Sequence, residues 1–369
     1  MIDDDELAAW IRLLEAPGVG RGSARKLLAA FGSPEAVLSA STLARRGVVG
    51  PSAADEIGAP SASIDALVAA TRAWLHDPQA TTPRHVITLG DAHYPQDLLH
   101  TADPPVLLYA QGRLDLLGAP CLAVVGSRNP TPQGSDNARS FSAHLSRAGL
   151  TIVSGLALGI DAAAHQGGLD GEGSTIAVVG TGLDRVYPRR HHELAHRIAA
   201  QGLMLSEYAL GTPALQNHFP SRNRLIAGLT RGTLVVEAAV QSGSLITARL
   251  ATEAGREVFA IPGSIHSPQS RGCHALIKQG AKLVDRAEDI LEELRLGPAQ
   301  SGDEPSPVRP AGLEDSLLAA LGHDPVTIDA LVARTGMSPA TLNVRLLDLE
   351  LAGRVARLPG QLFQRVEIG

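Results

Sequence analysis

Six short apolar runs separated by helical patterns constrain this chain more than any other feature. They are Leu122–Gly126, Thr151–Ser154, Thr175–Gly180, Leu203–Ser206, Thr233–Glu237 and Glu257–Ala260. Each is nearly continuous in Val, Ile, Leu and Ala, which is the texture of strands covered on both faces. Strands alternating with helices predict an α/β fold, a Rossmann-like, doubly wound and mostly parallel sheet. Ligands in such sheets bind beyond the carboxyl ends of the strands, where the strand order reverses.

Four of those ends carry glycine and small polar residues. The first reads Val124-Val-Gly126-Ser127-Arg128-Asn-Pro-Thr131, with a helical pattern from Gln133 to Gly149. A strand, a glycine turn and a helix N-terminus present free N–H groups to an anion, and Arg128 adds a fixed charge. The others are Ser154-Gly155-Leu-Ala-Leu-Gly-Ile-Asp161, Thr181-Gly-Leu-Asp-Arg-Val-Tyr-Pro188 and Ala238-Ala-Val-Gln-Ser242-Gly243-Ser244. One glycine turn is often only steric; four on one edge predict a continuous surface of backbone donors. Phe219-Pro-Ser-Arg222-Asn223-Arg224 sets a ring beside two arginines, before a helical run Leu225–Leu229; taken singly, each arginine also fits a solvated face, with Asn223 as a helix cap. Rings and guanidinium groups suit unpaired bases, and amides suit phosphates. The expected ligand is a nucleic acid.

The rest of the chain divides around this sheet. Residues 1–80 read as an all-α domain. Leu7, Trp10, Ile11 and Leu14 share one helical face, and Ala16-Pro-Gly-Val-Gly20 before Ser23–Phe31 makes a helix-hairpin-helix or SAM-like pattern. Its hairpin amides with Arg21, Arg25 and Lys26 form a candidate phosphate site, although a plain helical domain with a tight glycine turn fits as well. A polar, Pro-rich stretch at residues 76–84 leads into the α/β domain, 81–297. Residues 298–312 have the composition of a linker. Residues 313–369 read as three helices and a two-stranded wing around Pro359-Gly360, a winged helix. Its third helix carries Asn343 and Arg345 but also Asp348 and Glu350, so it suits a protein partner as well as DNA.

Other chemistries lose ground. The net charge of −6 excludes a globally basic binder but not a local basic patch. Cys121 and Cys273 are the only cysteines, far apart, which fits a reducing compartment and no thiolate zinc site. No basic signal segment and no membrane-length apolar run is present, so a cytoplasmic protein is expected. G-x-G-x-x-G and G-x-x-x-x-G-K-[ST] are absent, which disfavours nicotinamide enzymes and P-loop NTPases. His192-Glu-Leu-Ala-His196 matches H-E-x-x-H, but no third ligand follows it clearly. Asp161 and His165 stand one turn apart; Asp161 is expected to cap its helix. No catalytic residue, metal or cofactor is expected.

Taken together, the chain resembles the DprA (Smf) family of DNA-processing proteins of bacterial natural transformation. The stretches that carry the resemblance are Val124–Arg128, Val153–Asp161, Thr175–Asp184 with Tyr187-Pro188, Ser206–Tyr208, Phe219–Gly228, Val236–Ala238 with Ser242–Ala248, and Arg256–Gly263. They cover most of residues 85–285 in the family's order. The resemblance implies a homodimer that binds single-stranded DNA without sequence specificity, protects it and loads RecA onto it, with single-strand-binding protein as a further partner and no catalytic activity. It implies a DNA pocket at Gly126-Ser127-Arg128, Ser154-Gly155, Arg189 after the Tyr-Pro turn, Phe219, Arg222-Asn223-Arg224 and Ser242-Gly243. The alternative is a nucleotide-processing enzyme of the phosphoribohydrolase type on the same fold. That class adds a Pro-Gly-Gly-x-Gly-Thr loop, where this chain reads Glu237-Ala-Ala-Val-Gln-Ser-Gly-Ser244.

Overall fold

The computed structural model describes residues 2–296, 316–322, 325–360 and 362–366. The expected linker, 298–312, lies outside them. The N-terminal domain is six helices, α1–α6: Asp4–Leu14, Arg21–Phe31, Pro34–Ser39, Thr42–Arg46, Pro51–Glu56 and Ala62–Leu75. Side-chain caps start four of them: Asp3, Ser33, Ser41 and Ser61 each accept from a first-turn N–H. The core of this domain (Leu7, Trp10, Ile11, Leu27, Ile57) continues into Val86, Leu107 and Tyr109 of the first two strands. The helices therefore pack onto the sheet as part of one hydrophobic cluster.

Polar contacts fasten the same junction. Arg21 donates to Asp103 at 2.7 Å and to Glu207 at 3.2 Å, and Arg25 pairs with Asp103 at 2.7 Å. Of the cations expected at the hairpin, Arg21 and Arg25 are thus engaged by carboxylates of the α/β domain, while Lys26 is exposed and makes no ion pair among the described residues.

The α/β domain is a nine-stranded sheet in the order β1-β2-β6-β5-β4-β3-β7-β8-β9. The strands are β1 (Arg84–Thr88), β2 (Leu107–Gly112), β3 (Cys121–Val125), β4 (Thr151–Ser154), β5 (Thr175–Val178), β6 (Leu203–Ser206), β7 (Gly232–Val235), β8 (Glu257–Ala260) and β9 (Lys282–Leu283). The seven from β6 to β9 are parallel; β1 and β2 form an antiparallel hairpin on the edge of β6. Alternation along β3 shows why both faces are apolar. Leu122 and Val124 meet Ala138, Leu145 and Ile160 on one face. Ala123 and Val125 meet Leu225, Ala248 and Cys273 on the other. The covering helices are α7–α14: Gln96–Leu99, Pro132–Arg147, Ile160–Gly168, His192–Gln201, His218–Gly228, Ser244–Glu253, Arg271–Lys278 and Glu288–Glu293. From β3 the chain first builds outward through β4, β5 and β6, then returns through α11 to lay β7 on the other side of β3. The strand order reverses between β3 and β7, so their carboxyl ends flank the crevice.

The C-terminal unit contains α15 (Ser316–Leu321), α16 (Ile328–Thr335), α17 (Pro339–Leu351) and β10–β12 (Val326–Thr327, Val355–Leu358, Leu362–Arg365). Its antiparallel sheet, in the order β10-β12-β11, adds one strand to the expected wing. Gly336 ends α16 at φ 69°, the left-handed geometry glycine adopts without strain. Leu317, Leu321, Leu331, Leu342, Leu346 and Phe363 form its separate core.

Candidate nucleic-acid interface

A cleft of about 670 Å³ opens at the β3/β7 switch point. Gly126, Ser127 and Arg128 line one wall, Phe219 and Asn223 on α11 another, and Ser242 and Gly243 ahead of α12 a third. With Arg222 at its floor, the cleft brings together eight of the twelve residues expected in the site. Arg128 is exposed and makes no ion pair among the described residues. Its guanidinium carbon lies 6.0 Å from the centre of the Phe219 ring. Tyr187, half exposed at 52%, sits 5.5 Å from the same ring. Tyr187 was not singled out as a site residue. The signal was present, since aromatics are only 3% of this chain and Tyr187 sits in one loop of the glycine-rich edge, at the Tyr-Pro turn.

The backbone donors are distributed differently from the expectation. The N-terminus of α8 already holds an anion. Glu237 accepts from Thr131 N–H at 2.9 Å and from the Thr131 hydroxyl at 2.6 Å, laying its carboxylate over the first turn. Burial raises the Glu237 pKa against those two hydrogen bonds. The loop after β4 is filled in the same way: Asp161 accepts from Gly155 N–H at 3.1 Å and Ala157 N–H at 3.2 Å. Asp161 therefore ties down the preceding loop and does not cap its own helix. Ser154 is buried and donates to Val124 O at 2.7 Å, so Ser154 and Gly155 turn inward, away from any ligand. Gly126 is required sterically, because a Cβ there would stand 2.7 Å from Ile160 and 2.9 Å from Glu237 O. Gly243 faces open space. Among the described residues, the N–H groups of Ser127, Arg128, Ala239, Gln241 and Gly243 donate to no carbonyl. The free donors are thus the tip of the β3 loop and the approach to α12.

The three arginines of the expected cluster part company. Arg222 is 4% exposed and donates to Gly155 O at 2.8 Å and to Val178 O. Burial lowers its pKa to about 10, with Asp161 the main opposing influence, so it stays a cation beneath the cleft floor. Arg224 points to the other side of α11, where it pairs with Glu207 and Asp103 at the domain junction. Arg189 is exposed on a 3-10 turn, Arg189–His191, outside the cleft lining. Asn223 does not cap a helix beginning at Leu225. Helix α11 starts at His218, with Pro220 in the first turn, where no N–H partner is needed. Asn223 lies mid-helix instead and reaches toward Gly243 O at 3.5 Å.

His165 is wholly buried; its Nε2 accepts from Leu156 N–H at 3.2 Å and its Nδ1 lies 2.7 Å from the Thr175 hydroxyl. That hydroxyl donates to Ile152 O, so the ring is neutral with its proton on Nδ1. Burial, then Arg222, lowers its pKa from 6.5 to about 3. The folded-state pKa is depressed, so below pH 6.5 the unfolded chain binds a proton that the folded chain does not. Stability is full above pH 6.5 and falls by about 1.4 kcal/mol per pH unit from there toward pH 3. Urea titrations at pH 7, 5.5 and 4.5 should show a flatter pH dependence for His165→Gln than for the parent. Equal pH dependence would separate His165 from acid lability.

His192 and His196 lie one turn apart on α10 with Nε2 atoms 3.2 Å from each other. Among the described residues no group of three or more His, Cys, Asp or Glu side chains is placed to hold a metal ion. Among the same residues no helix is long and apolar enough to cross a membrane. Glu237 has both carboxylate oxygens held by Thr131.

A doubly wound domain with a cationic, ring-bearing cleft at its switch point, joined to a winged helix, defines a class of anion-binding, nucleic-acid-type folds. Residues 85–295 match the family model for DNA recombination-mediator protein A, and residues 301–361 match that for the DprA winged helix domain. The chain belongs to the DprA/Smf family. It is 40% identical to Protein Smf of Escherichia coli over 95% of this chain and 94% of that protein. It is 53% identical to the DNA processing protein DprA of Streptococcus pneumoniae over 55% of this chain and 72% of that one. The crystal structure of the S. pneumoniae protein superposes with a TM-score of 0.68, covering 78% of this chain and 97% of that chain at 40% identity. A DprA structure from Helicobacter pylori, described for its single-stranded DNA binding mode, gives 0.53 over 57% of this chain and 95% of that chain at 30% identity.

Proposed function

We propose that this chain binds single-stranded DNA without sequence specificity in the β3/β7 cleft and passes it to RecA during transformation and recombination. It does so as a binding protein and not as an enzyme, working as a homodimer with single-strand-binding protein as a further partner. One observation carries the reading: an unpaired cation, two rings and a row of unengaged amides converge in one cleft. Arg128 with the amides of Ser127, Arg128, Ala239, Gln241 and Gly243 suits successive phosphates. Phe219 and Tyr187 offer faces to unpaired bases, which every base can use, so the contact is indifferent to sequence. A duplex keeps its bases stacked on one another and gives these rings nothing. The kinship supports the reading, since the H. pylori relative is described as binding single-stranded DNA.

The test is a competition titration of oligo-dT against a duplex of equal length. Single strands should bind at least about tenfold more tightly, as two stacked bases would provide. Equal or tighter duplex binding would overturn the reading. RecA filament growth on DNA coated with single-strand-binding protein, with and without this chain, tests the later step. No acceleration would remove RecA and leave the DNA site standing.

A further inference from the structure

Among the described residues, the winged helix leaves a stripe of α17 exposed. On α17, Leu342 and Leu346 are buried in the domain core. On the opposite face Val344, Leu347 and Leu351 are 63%, 55% and 80% exposed, with exposed Ala340 ahead of them. The spacing 340, 344, 347, 351 is the four-three-four rhythm of a helix-pairing seam, about 16 Å long at 1.5 Å per residue. Asp348 borders the seam on one side and Glu350 on the other; both are exposed and neither makes an ion pair among the described residues. In a winged helix this third helix is the one that normally enters the DNA groove. Here three apolar side chains face outward between two carboxylates, which repel a phosphate backbone, and the amide of Asn343 on the same helix is turned back onto Pro339 O at 3.0 Å.

We propose that this face of α17 docks an amphipathic α-helix of another protein, one whose apolar stripe is flanked by lysine or arginine. Apolar residues in a four-three-four row seat a partner helix laid along them. The two flanking carboxylates select the partner's charge. A second copy of α17 would set acid against acid, so self-pairing is disfavoured.

The probe is a pair of labelled 21-residue peptides with one leucine stripe, flanked by lysine in one and glutamate in the other, titrated against the full chain by anisotropy. The lysine peptide should bind about tenfold more tightly, since two charge pairs reverse sign between the peptides. Asp348→Lys with Glu350→Lys should invert that preference, and Leu347→Asp should abolish binding of both peptides. Leu347 is exposed, so an unchanged melting temperature will confirm that its variant folds. Equal binding of both peptides, or a preference unmoved by the double charge reversal, would overturn the proposal. So would loss of duplex DNA binding on Leu347→Asp, which would make α17 a DNA helix.

Discussion

Arg222→Ala is expected to lower the stability of the chain by about 2–6 kcal/mol, the cost of leaving two buried carbonyls without donors at about 1–3 kcal/mol each. The guanidinium lies under the cleft floor and joins three parts of the sheet edge. It donates to the Gly155 carbonyl and the Val178 carbonyl, and its charge offsets that of buried Asp161. Alanine would leave two carbonyls without donors and remove the cation that favours the charged form of Asp161. Arg222→Met separates volume from charge: it fills the space but should recover little of the loss. Urea unfolding measures it. A loss below about 1 kcal/mol, the value of one ordinary hydrogen bond, would show that Arg222 is an ornament of the fold rather than its anchor.

Phe219→Ala is expected to weaken single-stranded DNA binding by about 1–3 kcal/mol per stacked base, or about 5- to 150-fold. The ring lies 5.5 Å from that of Tyr187 and 6.0 Å from the Arg128 guanidinium carbon, with Gly180 leaving it room; a Cβ on Gly180 would come 3.2 Å from its Cδ1. Phe219→Trp keeps a face and should restore most of the affinity. The loss should be alike for dT and dC oligomers, and the salt dependence should not change, because no charge is removed. Unchanged affinity would mean that bases do not stack in this cleft.

The fold was legible because a strand buried on both faces must be apolar throughout, and the six runs of the parallel core satisfy that condition. The cleft position followed from the same alternation. What sequence could not show was which polar group each polar group meets. Arg128, Arg222 and Arg224 are identical as letters, yet one faces the cleft, one lies beneath it and one points to the domain junction. Gly126, Gly155 and Gly243 look alike, but only Gly243 faces open space, because packing by Ile160 and Arg222 demands the other two. The amides expected to hold phosphates after β4 are taken by Asp161, and the start of α8 by Glu237, 106 residues from Thr131. Arg21 finds Asp103 and Glu207 at separations of 82 and 186 residues. Such pairings are set by topology, and a local pattern carries no trace of them.

The central claim is that Arg128 contacts a phosphate of single-stranded DNA at the β3/β7 switch point. The direct measurement is the salt dependence of oligo-dT binding by the parent chain and by Arg128→Ala. One lost phosphate contact should lower affinity at every salt concentration and reduce the slope of log K against log salt by about 0.7. An Arg128→Ala chain with the parent's affinity and the parent's slope would contradict the account.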